Sequence, residues 1–410
     1  MTAPSESPTA RWRWVALLSA TAIASYLARV NITVAGASIM RDFALTQPQM
    51  GRVFSAFVLG YALLMIPGGA LVDRWGTRRT LILAAAGWTA ITLALATVGI
   101  GAWSVLGALP ALLGLRFLLG VAEAPTFPAA ARGIAHWIPA AAQGRANGFV
   151  LAAIGVGSAI APALVTLMMV HWGWRWAMAV TAAPAAIVFA TWLVARGATF
   201  TTASAEDASA EERSGASLRT RSFSLLTASY TLQGYVGYIF VFWFYLYLVQ
   251  ERKFTLLESA WWASLPWVLT IVSIPAGGWI SDRLAAGRLG LAWGRRLVPL
   301  ACLIAGGVML AIGAATANPR VAALMLALST ASVLAVEGPF WATMLSVAGP
   351  RAGTAGGIMN MGSNVGGFIS PALTPVLAAA IGWERSLDIA AVAAVMAGAL
   401  WLGVKPGERP

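Results

Sequence analysis

The chain has 410 residues, of which 59% are hydrophobic and only 10% are charged, and its mean hydropathy is +0.77. Soluble domains carry about 25% charged residues, so the composition excludes a soluble protein and indicates a polytopic helical membrane protein. The formal net charge of +12 favours basic loops that face anionic lipid over a nucleic-acid-binding function. The single cysteine, Cys302, excludes an intramolecular disulfide and a cysteine-based metal site.

Apolar runs of about 20 residues recur along the chain, and each is long enough to cross a bilayer. The first run is preceded by a short polar and basic segment without a clear cleavage site, so it is expected to be a retained helix rather than a signal peptide. In chain order, helices 1 to 12 are predicted near residues 14–38, 49–72, 79–101, 105–130, 145–170, 175–195, 223–249, 258–282, 295–316, 320–346, 354–380 and 386–404.

A polar segment rich in Ser, Thr and Ala, residues 196–222, lies at the midpoint of the chain. It predicts a linker between an N-terminal six-helix bundle, residues 1–195, and a C-terminal six-helix bundle, residues 223–410. With both termini on one side, that side carries most of the 27 Lys and Arg residues. The positive-inside rule then places the termini and the linker in the cytoplasm, with the bundles in the inner membrane.

The two halves share a short motif between their second and third helices. A glycine lies four residues before an Asp-Arg pair in both GGALVDRWGTRR, residues 68–79, and GGWISDRLAAGRLGLAWGRR, residues 277–296. The repetition indicates duplication of a six-helix unit. Gly69 and Gly278 are expected to allow close helix approach, and Asp73 and Asp282 are expected to pair with arginines.

Predicted helix 4 carries two charges in an apolar run, Arg116 and Glu123. Seven residues are close to two helical turns, so both side chains share one face, and charges at membrane depth indicate function. This face is predicted to line a solute pathway. Desolvation disfavours the ionised form of Glu123, whereas nearby arginines favour it. A carboxyl group under these opposing effects suits the role of a proton carrier. The alternative is a permanent structural ion pair.

Arg29 lies well inside predicted helix 1, with Tyr26 and Thr33 on the same face. Its planar guanidinium matches a carboxylate with two parallel hydrogen bonds, which favours anions over neutral sugars as ligands. The alternative is that Arg29 only pairs with Glu123 or Glu337.

Helices 7 and 11 offer uncharged polar groups. Helix 7 carries Gln233 among several tyrosines, and their amide and hydroxyl groups are those that a polyol substrate would need for hydrogen bonds. The alternative is helix packing, which an aromatic stripe more often serves. Helix 11 is dense in glycine, which favours close helix packing. Its Asn360 and Asn364 lie one turn apart, and one of them is expected to face a cavity.

The GxxxDRxGxRR element of residues 69–79 resembles the loop signature of the major facilitator superfamily, with Thr77 as a minor departure. The resemblance covers essentially the whole chain. It implies an all-α membrane protein in which twelve helices form two pseudo-symmetric bundles around a central cavity, with alternating access by rocking of the bundles. It also implies a cytoplasmic gate formed by Asp73, Arg74, Arg78, Asp282 and Arg283.

Three stretches resemble the anion:cation symporter family within that superfamily, which includes sugar-acid/proton symporters and is similar to animal phosphate, sialic acid and glutamate carriers. They are SYLARVNITVA at 25–35, RFLLGVAEAPTFPAA at 116–130 and GTAGGIMNMGSNVGGFISPALTP at 353–375. The resemblance implies that Arg29 binds the substrate carboxylate and that Arg116 and Glu123 couple transport to protonation. It also implies that the site is lined by Tyr26, Tyr61, Trp341 and Asn360.

One position departs from the proton-coupled members of that family. The residue before the helix 1 arginine is commonly aspartate there, whereas this chain has Ala28. One expected proton carrier is therefore missing. Glu337 on helix 10 is a possible substitute, and the alternative is a local structural carboxylate near a Gly-Pro break.

These features predict a secondary transporter that imports a small organic anion, such as a sugar acid, together with protons. Gln233 and Asn364 join Arg29 and the implied lining residues as predicted substrate ligands. The alternatives are a proton-independent anion exchanger or facilitator, a drug/proton antiporter, and a non-transporting receptor or scaffold. No phosphate-binding loop or catalytic constellation appears, so neither an enzyme nor a cofactor or metal is expected. The protein is expected to be a monomer in contact with membrane lipid and not with nucleic acid.

Overall fold

The computed structural model describes residues 8–101, 103–195, 220–348 and 351–406, and the regular elements within these ranges are all α-helices. The apolar runs explain this architecture, because a helix satisfies every backbone hydrogen bond internally in lipid. The helices of the first half are α1 (Pro8–Asp42), α2 (Gln47–Ala96), α3 (Trp103–Leu106), α4 (Ala108–Glu123), α5 (Thr126–Trp137), α6 (Ala140–Thr181) and α7 (Ala183–Val194).

The second half begins with a helix capped by Thr220, whose side chain accepts a hydrogen bond from the Phe223 amide. Its helices are α8 (Arg221–Phe242), α9 (Phe244–Gln250), α10 (Leu256–Ala286), α11 (Gly290–Ala315), α12 (Pro319–Leu334), α13 (Glu337–Ala348), α14 (Ala352–Ile381) and α15 (Trp383–Leu400).

Two long helices each contain two membrane spans joined at a glycine. In the 50 residues of α2, Gly76 has φ 76°, and in the 42 residues of α6, Gly173 has φ 81°. Glycine adopts this left-handed conformation without the penalty of a side chain, so the chain turns sharply at both positions. As a result α2 contains predicted helices 2 and 3, and α6 with α7 contains predicted helices 5 and 6.

Four spans are interrupted, each between two consecutive helices: α4 and α5, α6 and α7, α8 and α9, and α12 and α13. The α8–α9 pair is bent by 51°. Within the described residues, eight helical segments are long and apolar enough to cross a membrane, and the bent pair makes a ninth. Because two of the eight contain two spans each and α15 supplies the last, the twelve-helix fold class is confirmed.

The chain folds as two compact units. The first comprises Met1–Ala44 and Leu59–Thr201, and the second comprises Leu45–Val58 and Thr202–Pro410. The predicted bundles, 1–195 and 223–410, stay a prediction, and these units differ from them in the assignment of residues 45–58 at the start of α2. Residues 196–219 of the predicted linker lie outside the described residues.

The start of α2 packs within the second unit through close contacts with α14. Ser55 Oγ donates a hydrogen bond of 2.7 Å to the Phe368 carbonyl oxygen. A Cβ atom added to Gly51 would lie only 2.2 Å from the carbonyl oxygen of Pro371. That carbonyl also accepts a 3.0 Å hydrogen bond from the Trp243 indole, because Pro375 has no N–H group to offer it.

The glycines of the repeated motif differ in how closely they approach a neighbouring helix. A Cβ added to Gly69 would meet nothing within 4 Å, whereas one on Gly68 would lie 3.2 Å from Pro125. In the second copy, a Cβ on Gly277 would lie 2.0 Å from the Ala335 carbonyl oxygen, and a Cβ on Gly338 would lie 3.0 Å from the Cα atom of Gly278. The prediction of close helix approach is therefore wrong for Gly69, where the preceding glycine makes the contact, and is confirmed for Gly278.

Candidate functional site

Arg29 and Glu123 form a buried ion pair in the first unit. The Nε and Nη2 atoms of Arg29 both donate to Oε1 of Glu123, at 3.1 and 2.7 Å. Arg29 is only 4% exposed and Glu123 is fully buried. Taking two charges out of water is costly unless they are paired and hydrogen-bonded, so each of these residues constrains the position of the other.

Two tyrosines surround the guanidinium of Arg29. Tyr26 lies one turn earlier on α1, and its hydroxyl accepts a 3.2 Å hydrogen bond from Nη1. The Arg29 Cζ atom lies 4.5 Å from the Tyr26 ring centroid and 4.9 Å from that of Tyr61 on α2. Cation–π contacts of this kind stabilise a desolvated arginine. The structure thus brings together these three sequence-predicted residues.

Arg116 reaches the same group of residues from α4. It is fully buried, and its Nη2 atom donates a 3.2 Å hydrogen bond to the main-chain carbonyl oxygen of Arg29. Arg116 and Glu123 therefore share one face of α4, as their spacing predicts. We refer to Tyr26, Arg29, Arg116 and Glu123 as the Arg29 cluster.

The backbone explains why Glu123 sits at the end of a helix. Glu123 is the last residue of α4, and α5 begins at Thr126. Pro125 has no N–H group, so it cannot continue the helical hydrogen bonding, and the span is interrupted there. Discontinuous helices at membrane depth are typical of transporter binding sites.

The two carboxylate oxygens of Glu123 differ in their surroundings. Oε1 accepts both hydrogen bonds from Arg29, whereas Oε2 is buried and has no hydrogen-bond partner among the described residues. A carboxylate accepts hydrogen bonds, and a carboxylic acid carries its own proton on one oxygen. Oε2 is therefore the atom on which Glu123 can hold a proton without displacing Arg29.

A second polar group lies in the second unit around Glu337. The Tyr230 hydroxyl donates to Oε2 of Glu337 at 2.8 Å, and the Gln233 amide donates to Oε1 at 2.9 Å. Tyr230 and Gln233 are both buried on α8, while Glu337 is the first residue of α13. Glu337 has no ion pair within 4.0 Å in the described part of the chain. We refer to these three residues as the Glu337 cluster.

The predicted asparagines of helix 11 are hydrogen-bonded to each other and to helix 7. Asn364 is buried, and its amide donates to the Asn360 carbonyl oxygen at 2.9 Å. The Tyr238 hydroxyl donates to Oδ1 of Asn364 at 3.3 Å. Trp341 is 38% exposed and lies next to Gly356. The sequence predicts the Tyr238 hydroxyl as one of the helix 7 groups that a polyol would need, and it did not predict this contact with Asn364.

The two aspartates of the repeated motif each form an ion pair. Asp73 accepts a hydrogen bond from Nη1 of Arg132, and Asp282 accepts one from Nη1 of Arg295. Both carboxylates are largely exposed, at 74% and 65%. Neither Arg132 nor Arg295 was predicted as a gate residue. Arg132 lies outside both copies of the motif, whereas Arg295 lies near the end of the second copy, residues 277–296.

The arginines of the motif have other neighbours. Arg78 donates to the carbonyl oxygens of Trp192 and Leu193 at the end of α7, at 3.1 and 2.8 Å. Arg283 stacks on the Trp279 ring at 5.1 Å. Arg74 is exposed at the surface. Thus Arg78 caps a helix end, where a positive charge stabilises the last carbonyl groups, rather than pairing with Asp73.

The described residues contain no group of three or more His, Cys, Asp and Glu side chains that could hold a metal ion. The polar groups inside the spans are instead arranged as hydrogen-bonded clusters of a carboxylate with one or two donors.

Comparison with known proteins identifies the family. A model described as Major Facilitator Superfamily matches residues 18–371. The chain belongs to the major facilitator superfamily. Membership in this superfamily shows that the protein is a multi-pass membrane transporter and not an enzyme.

Several relatives are named as transporters of organic acids. A Cupriavidus necator protein named "Probable sulfoacetate transporter SauU" is 32% identical over 365 residues, which cover 85% of this chain and 82% of that protein. The D-galactonate transporter of Escherichia coli O6:H1 is 28% identical, covering 94% of this chain and 93% of its own length. These matches confirm the resemblance to the anion:cation symporter family.

A solved structure supports the same major facilitator fold. A bacterial homolog of the human lysosomal transporter Spinster, in an inward-facing and occupied conformation, has a TM-score of 0.80 at 18% identity. The match covers 97% of both chains. At this identity the similarity establishes the architecture.

Proposed function

We propose that this major facilitator protein imports a small organic anion, such as a sugar acid, together with protons by alternating access. The observation that carries the proposal is the Arg29–Glu123 pair, a buried guanidinium whose carboxylate partner retains one oxygen without a hydrogen bond. The organic acids named for two relatives, sulfoacetate and D-galactonate, support an acidic substrate.

Arg29 is the proposed ligand for the substrate's acid group. Its guanidinium offers five N–H donors in a planar fork that matches a carboxylate or sulfonate. Two of these donors bind Glu123 in the structure. A substrate anion that binds the same Nε and Nη2 edge competes with Glu123 for these donors, and binding of the anion and ionisation of Glu123 then oppose each other.

This competition provides the coupling to protons. When Glu123 takes up a proton on Oε2, its attraction for Arg29 weakens and the guanidinium becomes available to the anion. When the anion leaves, Arg29 again stabilises ionised Glu123 and favours release of the proton. Anion and proton therefore bind together and dissociate together, which is the thermodynamic requirement for symport. Arg116 contributes positive charge that favours the ionised form of Glu123.

The remaining predicted residues keep proposed roles. The proposed substrate contacts are Gln233, Asn360, Asn364, Trp341, Tyr26 and Tyr61. The ion pairs of Asp73 and Asp282 are proposed to act at the cytoplasmic gate, with Arg74, Arg78 and Arg283 as neighbouring charges. Lys and Arg placement supports an inner-membrane orientation with cytoplasmic termini. Glu337 remains the second proposed proton site, although both of its oxygens already accept hydrogen bonds.

A proton-independent anion exchanger is the second candidate function. The observation that favours it is Ala28, a fully buried alanine at the position where proton-coupled relatives commonly have aspartate. With one carboxylate missing, Glu123 would then be a permanent partner of Arg29. The two candidates differ in whether a proton gradient drives accumulation.

The test is uptake into proteoliposomes that contain the purified protein. A panel of labelled acids, including D-galactonate, is presented with and without an inward-directed pH gradient, and the neutral sugar galactose is the control. We expect at least one acid to accumulate only with the gradient, and galactose not to be transported. Gradient-independent equilibration of the transported acid would support a proton-independent facilitator, and uptake only into vesicles preloaded with an anion would support an exchanger. Transport of galactose but no acid would contradict both the symporter and these alternatives.

A further inference from the structure

The break between α8 and α9 has no cause in its own sequence. The two helices meet at Trp243 and are bent by 51°, yet residues 238–250 contain neither glycine nor proline. A sharp bend in a helix usually requires one of these residues, or a side chain or water inserted into the backbone hydrogen bonds. The Trp243 amide still donates to the Ile239 carbonyl oxygen, at 2.7 Å, which points to tertiary contacts as the cause of the bend.

The Trp243 side chain supplies a hydrogen bond that α14 lacks. Two prolines, Pro371 and Pro375, lie inside α14. In a regular helix the carbonyl oxygen of residue 371 would accept a hydrogen bond from the amide of residue 375, but proline has no N–H to donate. The fully buried Trp243 indole donates to that oxygen instead, at 3.0 Å. The break in one span is therefore joined to the proline segment of another.

Helices α8 and α14 are also in close contact over the turns that precede this hydrogen bond. A Cβ atom added to Gly234 would lie 2.5 Å from the Ser363 carbonyl oxygen. One added to Gly366 would lie 2.1 Å from the Thr231 carbonyl oxygen. Glycines let the backbones of two helices approach this closely. The position of α14 along α8 is thus set by the glycine contacts at one end and by the Trp243 indole at the other.

Tyr238 and Asn364 meet between these two sets of contacts. A Cβ atom added to Gly367 would lie 2.7 Å from the Tyr238 ring, so the ring packs on the backbone of α14. The Tyr238 hydroxyl donates to Oδ1 of Asn364 at 3.3 Å. Because this distance already exceeds the usual ~2.5–3.0 Å for a hydroxyl donor, a further small shift of α14 would break the hydrogen bond.

We propose that Trp243 is a positioning residue, whose indole N–H holds α14 against the α8–α9 break and so keeps Asn364 within hydrogen-bonding distance of Tyr238. This inference rests on the proposed function, in which Asn364 contacts the substrate anion. The Asn364 amide nitrogen also donates to the Asn360 carbonyl oxygen, at 2.9 Å. The side-chain amide is thereby oriented at both ends and keeps one N–H for a ligand. Trp243 acts through Tyr238 and does not contact the substrate itself.

The test uses Trp243→Phe, which keeps an aromatic ring and removes the N–H group. Proteoliposomes that contain the wild-type protein or the variant are assayed by counterflow of labelled D-galactonate over a range of concentrations. We expect the KM to rise by about tenfold while the maximal rate stays within about twofold, because orientation of a ligand is lost. If Trp243→Phe folds poorly, benzothienylalanine at the same position provides the test, since it has the shape of the indole and no N–H.

Trp383→Phe is the matched control. It removes an indole whose ring centroid lies 5.6 Å from that of Trp243, and this indole donates no hydrogen bond to any residue that the structure describes. The KM of this variant is expected to stay within about twofold of the wild-type value. An equal rise of the KM in Trp243→Phe and Trp383→Phe would assign the effect to lost packing and would overturn the proposal.

Tyr238→Phe tests whether Trp243 acts through Tyr238. This substitution removes the hydroxyl that donates to Asn364. If both aromatic residues serve the same contact, the double variant Trp243→Phe/Tyr238→Phe should have the KM of the more affected single variant. If they act independently, the two increases multiply, and that result would contradict the positioning role.

Hydrogen exchange separates failure of this inference from failure of the proposed function. Backbone amides of residues 364–378 should exchange about tenfold faster in Trp243→Phe than in the wild-type protein or Trp383→Phe, whether or not an acid is transported. If exchange accelerates but Asn364→Ala leaves the KM unchanged, or D-galactonate is not transported, the link to Trp243 stands and the substrate role of Asn364 is wrong for that acid. Unchanged exchange in Trp243→Phe would overturn the inference even if transport is normal.

Discussion

Arg29 donates both its Nε and its Nη2 hydrogen bonds to one oxygen of Glu123, and the other oxygen of that carboxylate is buried without a hydrogen bond. The pair is therefore asymmetric. A structural ion pair that used both oxygens in a fork-to-fork arrangement would satisfy the carboxylate completely. The asymmetric arrangement instead keeps one oxygen for a proton or for a hydroxyl group.

The Arg29–Glu123 pair should show strong coupling in unfolding experiments. Arg29→Met leaves the fully buried Glu123 without its partner, which should lower the free energy of unfolding by about 3–5 kcal/mol. The double variant Arg29→Met/Glu123→Met removes both charges and should recover most of that loss. Chemical unfolding in detergent measures both, with the exposed Arg385→Met as control. Additive losses in the double variant would contradict a coupled pair.

Arg29→Lys tests recognition by a planar fork. Lysine keeps the positive charge but offers a compact ammonium instead of parallel N–H donors. We expect the apparent affinity for the transported acid to fall by about tenfold, corresponding to ~1.4 kcal/mol. Competition by unlabelled acid in counterflow measures this affinity. An unchanged affinity would show that charge alone binds the anion.

The glycines before the two Asp-Arg motifs should respond differently to a methyl group. Gly277→Ala places a Cβ atom 2.0 Å from the Ala335 carbonyl oxygen, so the interrupted helix must shift, and we expect a loss of about 1–3 kcal/mol from overpacking. Gly69→Ala meets no atom within 4 Å and should be neutral or stabilising by about 0.5–1 kcal/mol. Thermal unfolding of the two variants measures the difference, and equal effects would contradict the packing described for Gly277.

Asp73→Asn tests whether the contact between Asp73 and Arg132 belongs to the gate or is only a surface ion pair. Asp73 is 74% exposed, and exposed pairs contribute only about 0–1 kcal/mol to stability, so unfolding should change little. If the contact with Arg132 belongs to the gate, the rate of uptake should fall severalfold at unchanged substrate affinity. Arg132→Gln should reproduce this effect. Normal rates in both variants would assign the pair to the surface only.

Much of the fold was predictable because lipid imposes simple rules on sequence. Runs of about 20 apolar residues must be helices in a bilayer, and the repeated Asp-Arg motif identifies the two halves. The interruptions inside spans were harder to predict. Pro125 indicates the break after Glu123, but Pro162 lies inside α6 without ending it, so proline alone does not determine where a span divides.

The site residues that could be predicted are those whose charged side chains cost free energy to bury at membrane depth. Arg29, Arg116 and Glu123 are such residues, and the structure brings them together. Their hydrogen-bond partners were less predictable, because pairing depends on helix rotation that spacing does not determine. Arg78 illustrates this limit, since its neighbours are the end of α7 rather than Asp73.

The central claim is that Glu123 carries the proton that is coupled to an anion bound by Arg29. The most direct test is uptake by Glu123→Gln in proteoliposomes, compared with the wild-type protein, under two conditions: an inward pH gradient and counterflow at equal pH. We expect the variant to lose gradient-driven accumulation but to keep counterflow, because glutamine still accepts a hydrogen bond and cannot ionise. Gradient-driven accumulation equal to that of the wild-type protein would contradict the claim.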